Sequence, residues 1–190
     1  MTFPCFDCTE VCCAEFRIYL FPSDLFRLSC SLGLAPEKIC LPVQIGSENA
    51  DHLPWSFSLG EEERFLLGLR RKRGRCLFHL SLSGSGRCGV HPNRPLACRA
   101  YPFMARKHQL SLMRQALCPG RWSLSEQERG AQLALGRRLV RESVQFEGFL
   151  ETWHEECLPS IQAEESLCRN FRERFHRFLK FLAERMGKLF

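Results

Sequence analysis

Four thiols fall within nine residues near the start of this chain: "CFDCTEVCC" carries Cys5, Cys8, Cys12 and Cys13. Twelve cysteines in 190 residues stand out against a composition that is otherwise ordinary for a globular protein, with 45% hydrophobic residues. Disulfides, metal sites and inert buried thiols are the competing explanations. Disulfide scaffolds are usually short and secreted. This chain is long enough for a sizeable core. It shows no basic stretch followed by an apolar stretch and a small-residue cleavage site. The expectation is a cytoplasmic protein with reduced thiols. No apolar run approaches the roughly 18 residues of a membrane span, so no transmembrane segment is expected.

Soft thiolate donors select zinc, copper(I) or iron–sulfur centres over hard cations. Cys5 and Cys8 have the Cys-x-x-Cys spacing in which a local turn aims both sulfurs at one centre. Cys12 lies four residues beyond Cys8, so a helical turn would set Cys5, Cys8 and Cys12 on one face. Cys13 cannot share that face, because adjacent helical side chains diverge by about 100°. Cys12 and Cys13 therefore serve neighbouring sites, or one of them is a spare thiol beside a single site. Further ligands must come from elsewhere. The stretch "CLFHLSLSGSGRCGVHPNRPLACRAYPF" and the later "LCPG" offer Cys76, Cys88, Cys98 and Cys118. Eight thiols suit two four-ligand centres or one larger cluster. Cys30, Cys40, Cys157 and Cys168 sit alone in apolar or helical contexts and read as ordinary buried or half-buried residues.

The pieces "CFDCTEVCC", "GRC", "GRCGVH", "RPLACRAYPF" and "CPG", in that order, resemble the zinc- or iron-chelating cysteine-cluster proteins often called YkgJ-type. The flagellin lysine N-methylases belong to the same group. The resemblance covers about residues 3–122. It implies Cys5, Cys8, Cys12, Cys13, Cys88 and Cys98 as foremost ligands, with Cys76 and Cys118 at matching positions, and it implies zinc or an iron–sulfur cluster as cofactor. A methylase-type relative would act on a protein substrate with S-adenosylmethionine. Here three residues separate Cys8 from Cys12 where many relatives have two, and the methylase-type relatives are considerably longer.

Arg94 and Arg99 flank Cys98. Their guanidinium groups could donate to thiolates, to sulfide, or to an anionic group of a bound cofactor or substrate. His91, three residues past Cys88, is either a nitrogen ligand or a loop imidazole bonding a carbonyl. The run "RRKRGR" at 70–75 reads as a solvated hairpin tip, with contact to nucleic acid or an acidic partner as the alternative. Net charge argues little for nucleic acid. Residues 1–122 hold 16 Lys and Arg against 10 Asp and Glu, while residues 123–190 hold 11 of each. Bound thiolates would offset that excess. No phosphate-cradling glycine loop and no serine-centred hydrolase elbow is present.

The expected fold is α+β and mainly helical. A small irregular cysteine domain with a β-hairpin (1–122) would be stapled by metal, and two long C-terminal helices (123–190) would pack on it. Ser23 reads as the N-cap of a helix ending at Gly33, and residues 34–62 as irregular connection. The flanks "RFLLGLRR" and "RCLFHL" predict a hairpin turning at Gly74. Ser125 and Glu128 fit a capping box. Leu133, Leu139, Val140 and Val144 give that helix a partial apolar face, and Pro159 ends it. Leu167, Phe171, Phe175, Phe178, Leu182 and Met186 recur at three- and four-residue steps on a last amphipathic helix. That helix would pack on the core, with a membrane surface or partner helix as the alternative.

Overall fold

A five-residue helix, α1 (Val11–Glu15), follows the cysteine head and carries Cys12 and Cys13. The computed structural model describes residues 11–46, 53–60, 63–82, 85–106, 109–114, 116, 123–163 and 170–187. Cys5, Cys8, Cys118, Leu167 and Cys168 lie outside them. By spatial contact the chain divides into two units, Met1–Ile18 with Leu69–Val140 and Tyr19–Gly68 with Arg141–Phe190.

In the second unit, α2 spans Pro22–Leu32. Its N-cap is Phe21, not Ser23. Pro22 occupies the first turn, where a missing N–H costs nothing and a fixed φ suits the helix. Gly33 ends it in the left-handed conformation, its N–H donating to the Ser29 carbonyl. The stretch expected to be irregular holds α3 (Pro36–Ile39) and β1 (Cys40–Ile45). β1 pairs with β2 (Arg64–Leu69), whose residues Phe65 to Leu69 are buried. Cys40 and Val43 are the buried residues of β1, on opposite faces of the strand. Gly68 permits this approach, since a Cβ there would meet Val43 Cγ2 at 2.3 Å.

The first unit is built of hairpins. β3 (Arg71–Lys72) and β4 (Arg75–Cys76) pair antiparallel, Arg71 opposite Cys76. Arg73 and Gly74 between them have φ of 51° and 77°, the positive values that two-residue hairpin turns require. The expected turn at Gly74 therefore forms, but its long flank "RFLLGL" pairs with β1 instead. β5 (His79–Leu82) pairs with β6 (Ser85–Cys88). A 3-10 turn at His91–Asn93 leads to α4 (Leu96–Ala100). A cis Tyr101–Pro102 bond precedes the hairpin of β7 (Phe103–Arg106) and β8 (Gln109–Leu112). Val90, Leu96, Ala100 and Phe103 are the buried apolar residues along this stretch.

The capping box forms as the sequence predicts. Glu128 Oε2 accepts from the Ser125 N–H at 2.9 Å, while the Glu128 N–H donates to Ser125 Oγ at 3.3 Å. It opens α5 (Glu126–Thr152), which runs through a π-turn at Trp153–Cys157 into α6 (Leu158–Ala163). Pro159 does not end the helix. It stands in the first turn of α6, where a widened turn removes the need for its N–H. Val140 and Val144 are both 62% exposed. The buried face is Phe146, Leu150 and Trp153 instead, since aromatic area outweighs the smaller valines.

Asn170 caps α7 (Phe171–Gly187), its Oδ1 accepting from the Glu173 N–H at 2.8 Å. The helix packs against α2 and α3. Phe175, Phe178, Leu182 and Met186 are buried as their spacing requires, together with Leu179 and Phe181, while Phe171 is exposed at the helix start. Phe57 stacks on Phe178 at 4.1 Å, and Trp153 meets Phe178 edge-on at 5.0 Å. The 56–58 loop is pinned from the π-turn that follows α5. Trp153 Nε1 donates to the Ser58 carbonyl at 2.9 Å, and the Ser58 N–H donates to His154 Nε2 at 3.1 Å.

Two outcomes follow from this packing. Gly68→Ala should destabilise by about 1–3 kcal/mol through overpacking against Val43, read as a lower urea midpoint. Burial, with Arg64 nearby, holds His154 below the usual imidazole pKa, so folding favours its neutral ring. That contribution is complete above about pH 6.5, the unfolded value, and is lost as pH falls toward the folded one. The melting temperature should drop across that window in the wild type, and His154→Gln, which can still accept from Ser58, should flatten the drop.

Candidate metal centre

Five of the eight expected sulfur ligands lie among the described residues, all in the first unit and all free thiols. Cys12 and Cys13 sit on α1, Cys76 on β4, Cys88 at the end of β6 opposite His79, and Cys98 within α4. α1 packs on β4. The Gly89 N–H donates to the Phe78 carbonyl at 2.8 Å, closing the β5–β6 hairpin just past Cys88.

Their electrostatics show that they share one neighbourhood. Cys13 donates its S–H to the Cys12 sulfur, which pulls the Cys12 thiol down to about 6. The N–H groups of both residues and the charge of Arg94 act in the same direction, against burial. Cys13 is driven the other way, first by that same bond, then by burial and by the charges of Cys12, Cys76 and Cys88. Burial raises Cys76, with Cys88 and Cys12 adding to it and Arg71 opposing. Burial also raises Cys88, against Arg94. Cys98 is pushed up as well, by burial first and then by the charges of Cys76, Cys88 and Cys12.

Such a set disfavours several thiolates at once. A bound cation reverses that penalty, because a coordinating thiol loses its proton to the metal. The donors therefore fit a thiophilic ion in kind. Among the described residues, no three His, Cys, Asp or Glu side chains form a ready metal shell.

Arg94 Nη1 lies 2.8 Å from His91 Nε2. A guanidinium only donates, so that imidazole nitrogen accepts, and its lone pair is directed at Arg94. Arg94 in turn lowers the pKa of Cys12, Cys88 and Cys98. Arg99 is half-buried on α4, next to Cys98. Cys40 is buried and Cys157 half-buried, as expected, but Cys30 is exposed near the end of α2.

One residue of the site escapes a composition-based reading. Arg71 belongs to the basic run at 70–75, yet its guanidinium turns inward to α1. Nη1 donates to the Phe16 carbonyl at 2.8 Å, and Nη2 donates to the carbonyls of Ala14 and Gly74. Its position opposite Cys76 across a two-residue turn is the one sequence signal that could have marked it. Lys72, Arg73 and Arg75 are exposed, as a hairpin tip should be.

A family model named for the pattern CxxCxxCC, described as a zinc- or iron-chelating domain, matches residues 4–119. The chain belongs to this family. No curated protein and no solved structure matches it. All eight expected ligands fall inside the CxxCxxCC match, including Cys5 and Cys118 near its two ends. The head of this member is one residue longer than the family pattern, with three residues between Cys8 and Cys12. The family description names metal chelation and carries no methylation.

Among the five described thiols of the metal-free chain, Cys12 should react first with iodoacetamide near pH 7, ahead of Cys13, Cys76, Cys88 and Cys98. Arg94→Ala should move the midpoint of Cys12 alkylation to higher pH, followed by peptide mass spectrometry across a pH series.

Proposed function

We propose that this CxxCxxCC protein binds zinc or an iron–sulfur centre through Cys5, Cys8, Cys12, Cys13, Cys76, Cys88, Cys98 and Cys118, and that residues 1–122 form the domain it organises. One observation carries the reading: the thiols of α1 and those of the distant stretch that holds β4, β6 and α4 lie within one another's electrostatic reach. Supplied with a cation, these sulfurs become thiolates, and the centre ties α1 to three later segments. Structural zinc contributes on the order of 10–16 kcal/mol of apparent binding energy in small zinc-folded peptides, enough to dominate the stability of short hairpins.

Arg94, braced by His91, supplies a positive charge beside Cys12, Cys88 and Cys98 and so favours the thiolate forms. Arg94 and Arg99 are also the groups that would meet an anionic portion of a further cofactor, S-adenosylmethionine included. Among the described residues nothing favours the protein-lysine methylase chemistry of the longer relatives over a structural or redox centre.

Anaerobic purification with elemental and acid-labile sulfide analysis tests the proposal. Zinc should be found at about one or two ions per chain, as four-thiolate zinc centres require, or iron in the number its cluster demands. Colourless zinc protein or brown iron protein with matching sulfide identifies the centre. Cys88→Ser with Cys98→Ser should abolish the metal and lower the melting temperature. Metal-free wild-type protein of unchanged stability would overturn the proposal.

A further inference from the structure

The geometry points to Arg71 as the positioning residue that seats Cys12 and Cys13 against Cys76 before any metal binds. The inference rests on the metal-binding reading above and names the part of the chain that assembles the site. α1 has five residues, too few to persist alone, and its last carbonyls have no partners within the helix. Arg71 supplies them. Its planar guanidinium bonds the carbonyls of Ala14 and Phe16 at the C-terminal end of α1, and also the carbonyl of Gly74 across its own hairpin turn. Register then fixes the rest, because Arg71 stands directly opposite Cys76. A side chain that holds α1 therefore holds Cys12 and Cys13 beside the strand that carries Cys76. The backbone continues the seam, with the Leu69 N–H donating to the Ile18 carbonyl at 2.8 Å and the Leu77 N–H to the Arg70 carbonyl at 3.0 Å.

A lysine ammonium also has three N–H donors, but they radiate from one nitrogen on a flexible stem and cannot reproduce the fixed planar spread of a guanidinium that reaches α1 and Gly74 together. Arg71→Lys keeps the charge beside Cys76 and loses the geometry. Arg71→Ala loses both. Lys72→Ala removes an exposed neighbouring charge and serves as the control.

Each chain is prepared reduced and metal-free, then treated with the short thiol cross-linker dibromobimane and mapped by peptide mass spectrometry. Zn2+ affinity is measured separately by competition with a chromophoric chelator, with near-ultraviolet circular dichroism of the tryptophans reporting the fold. Arg71→Ala and Arg71→Lys should both lose the peptide linking Cys12 or Cys13 to Cys76. Both should bind Zn2+ about ten- to a hundredfold more weakly, the usual cost of removing a group that orients metal ligands. Lys72→Ala should match the wild type in both measurements. Wild-type cross-linking in Arg71→Ala, or full recovery by Arg71→Lys, overturns the assignment. Should the wild type itself take up no Zn2+ while the Arg71 variants still lose the linked peptide, the metal reading falls and the positioning role stands.

Discussion

Crowded sulfur is the constraint from which the first unit follows. Cys12, Cys13, Cys76, Cys88 and Cys98 feel one another's charge, and their surroundings are dry enough that ionising one makes the next harder to ionise. Of these five described thiols Cys12 alone is drawn down, and by a neighbour that must then keep its own proton. A chain that gathers thiols in this way keeps most of them protonated until a soft cation displaces the protons and offsets the repulsion between thiolates. The arginines answer the same constraint. Arg94 faces three of the sulfurs and Arg71 a fourth, so fixed positive charge stands where negative charge would develop.

The second unit is held by ordinary means. Phe57, Phe65, Trp153, Phe175 and Phe178 make a continuous aromatic cluster, and the polar edges of that cluster are satisfied. Trp153 and His154 bond the carbonyl and N–H of the same residue, Ser58, so a loop with little regular structure is fixed by the helix that covers it. The contrast between the units is one of size and composition. Hairpins of two and four residues bury little apolar area and need another source of cohesion, whereas a 17-residue amphipathic helix on an aromatic cluster does not.

Local signals were legible wherever neighbours in sequence decide the outcome. Ser125 with Glu128, Gly33, Gly74 and the α7 periodicity all lie within a few residues of what they control. The departures have a common source. Adjacency favours the Gly74 hairpin as the partner of "RFLLGL", but that strand is buried from Phe65 to Leu69 and pairs with β1. Val140 and Val144 belong to the expected partial apolar face because they are apolar, but both are exposed, and Phe146, Leu150 and Trp153 are buried instead. Pro159 was read as a stop because a π-turn, which spares its missing N–H, leaves no mark in composition. Arg71 was grouped with exposed neighbours of the same charge, and charge alone does not say which of five cations turns inward.

The sequence by itself determined the kind of chemistry available. Sulfur density fixes the preference for soft metals, and Cys-x-x-Cys spacing, turn glycines and helix caps act over a few residues, where covalent connection limits the alternatives. Tertiary structure decided which sulfurs meet. A long stretch of chain separates α1 from β4, β6 and α4, and the approach of α1 to them depends on contacts such as the Arg71 guanidinium on the Ala14 and Phe16 carbonyls. Those contacts form only once distant backbone segments lie side by side, and one-dimensional spacing carries no record of that distance.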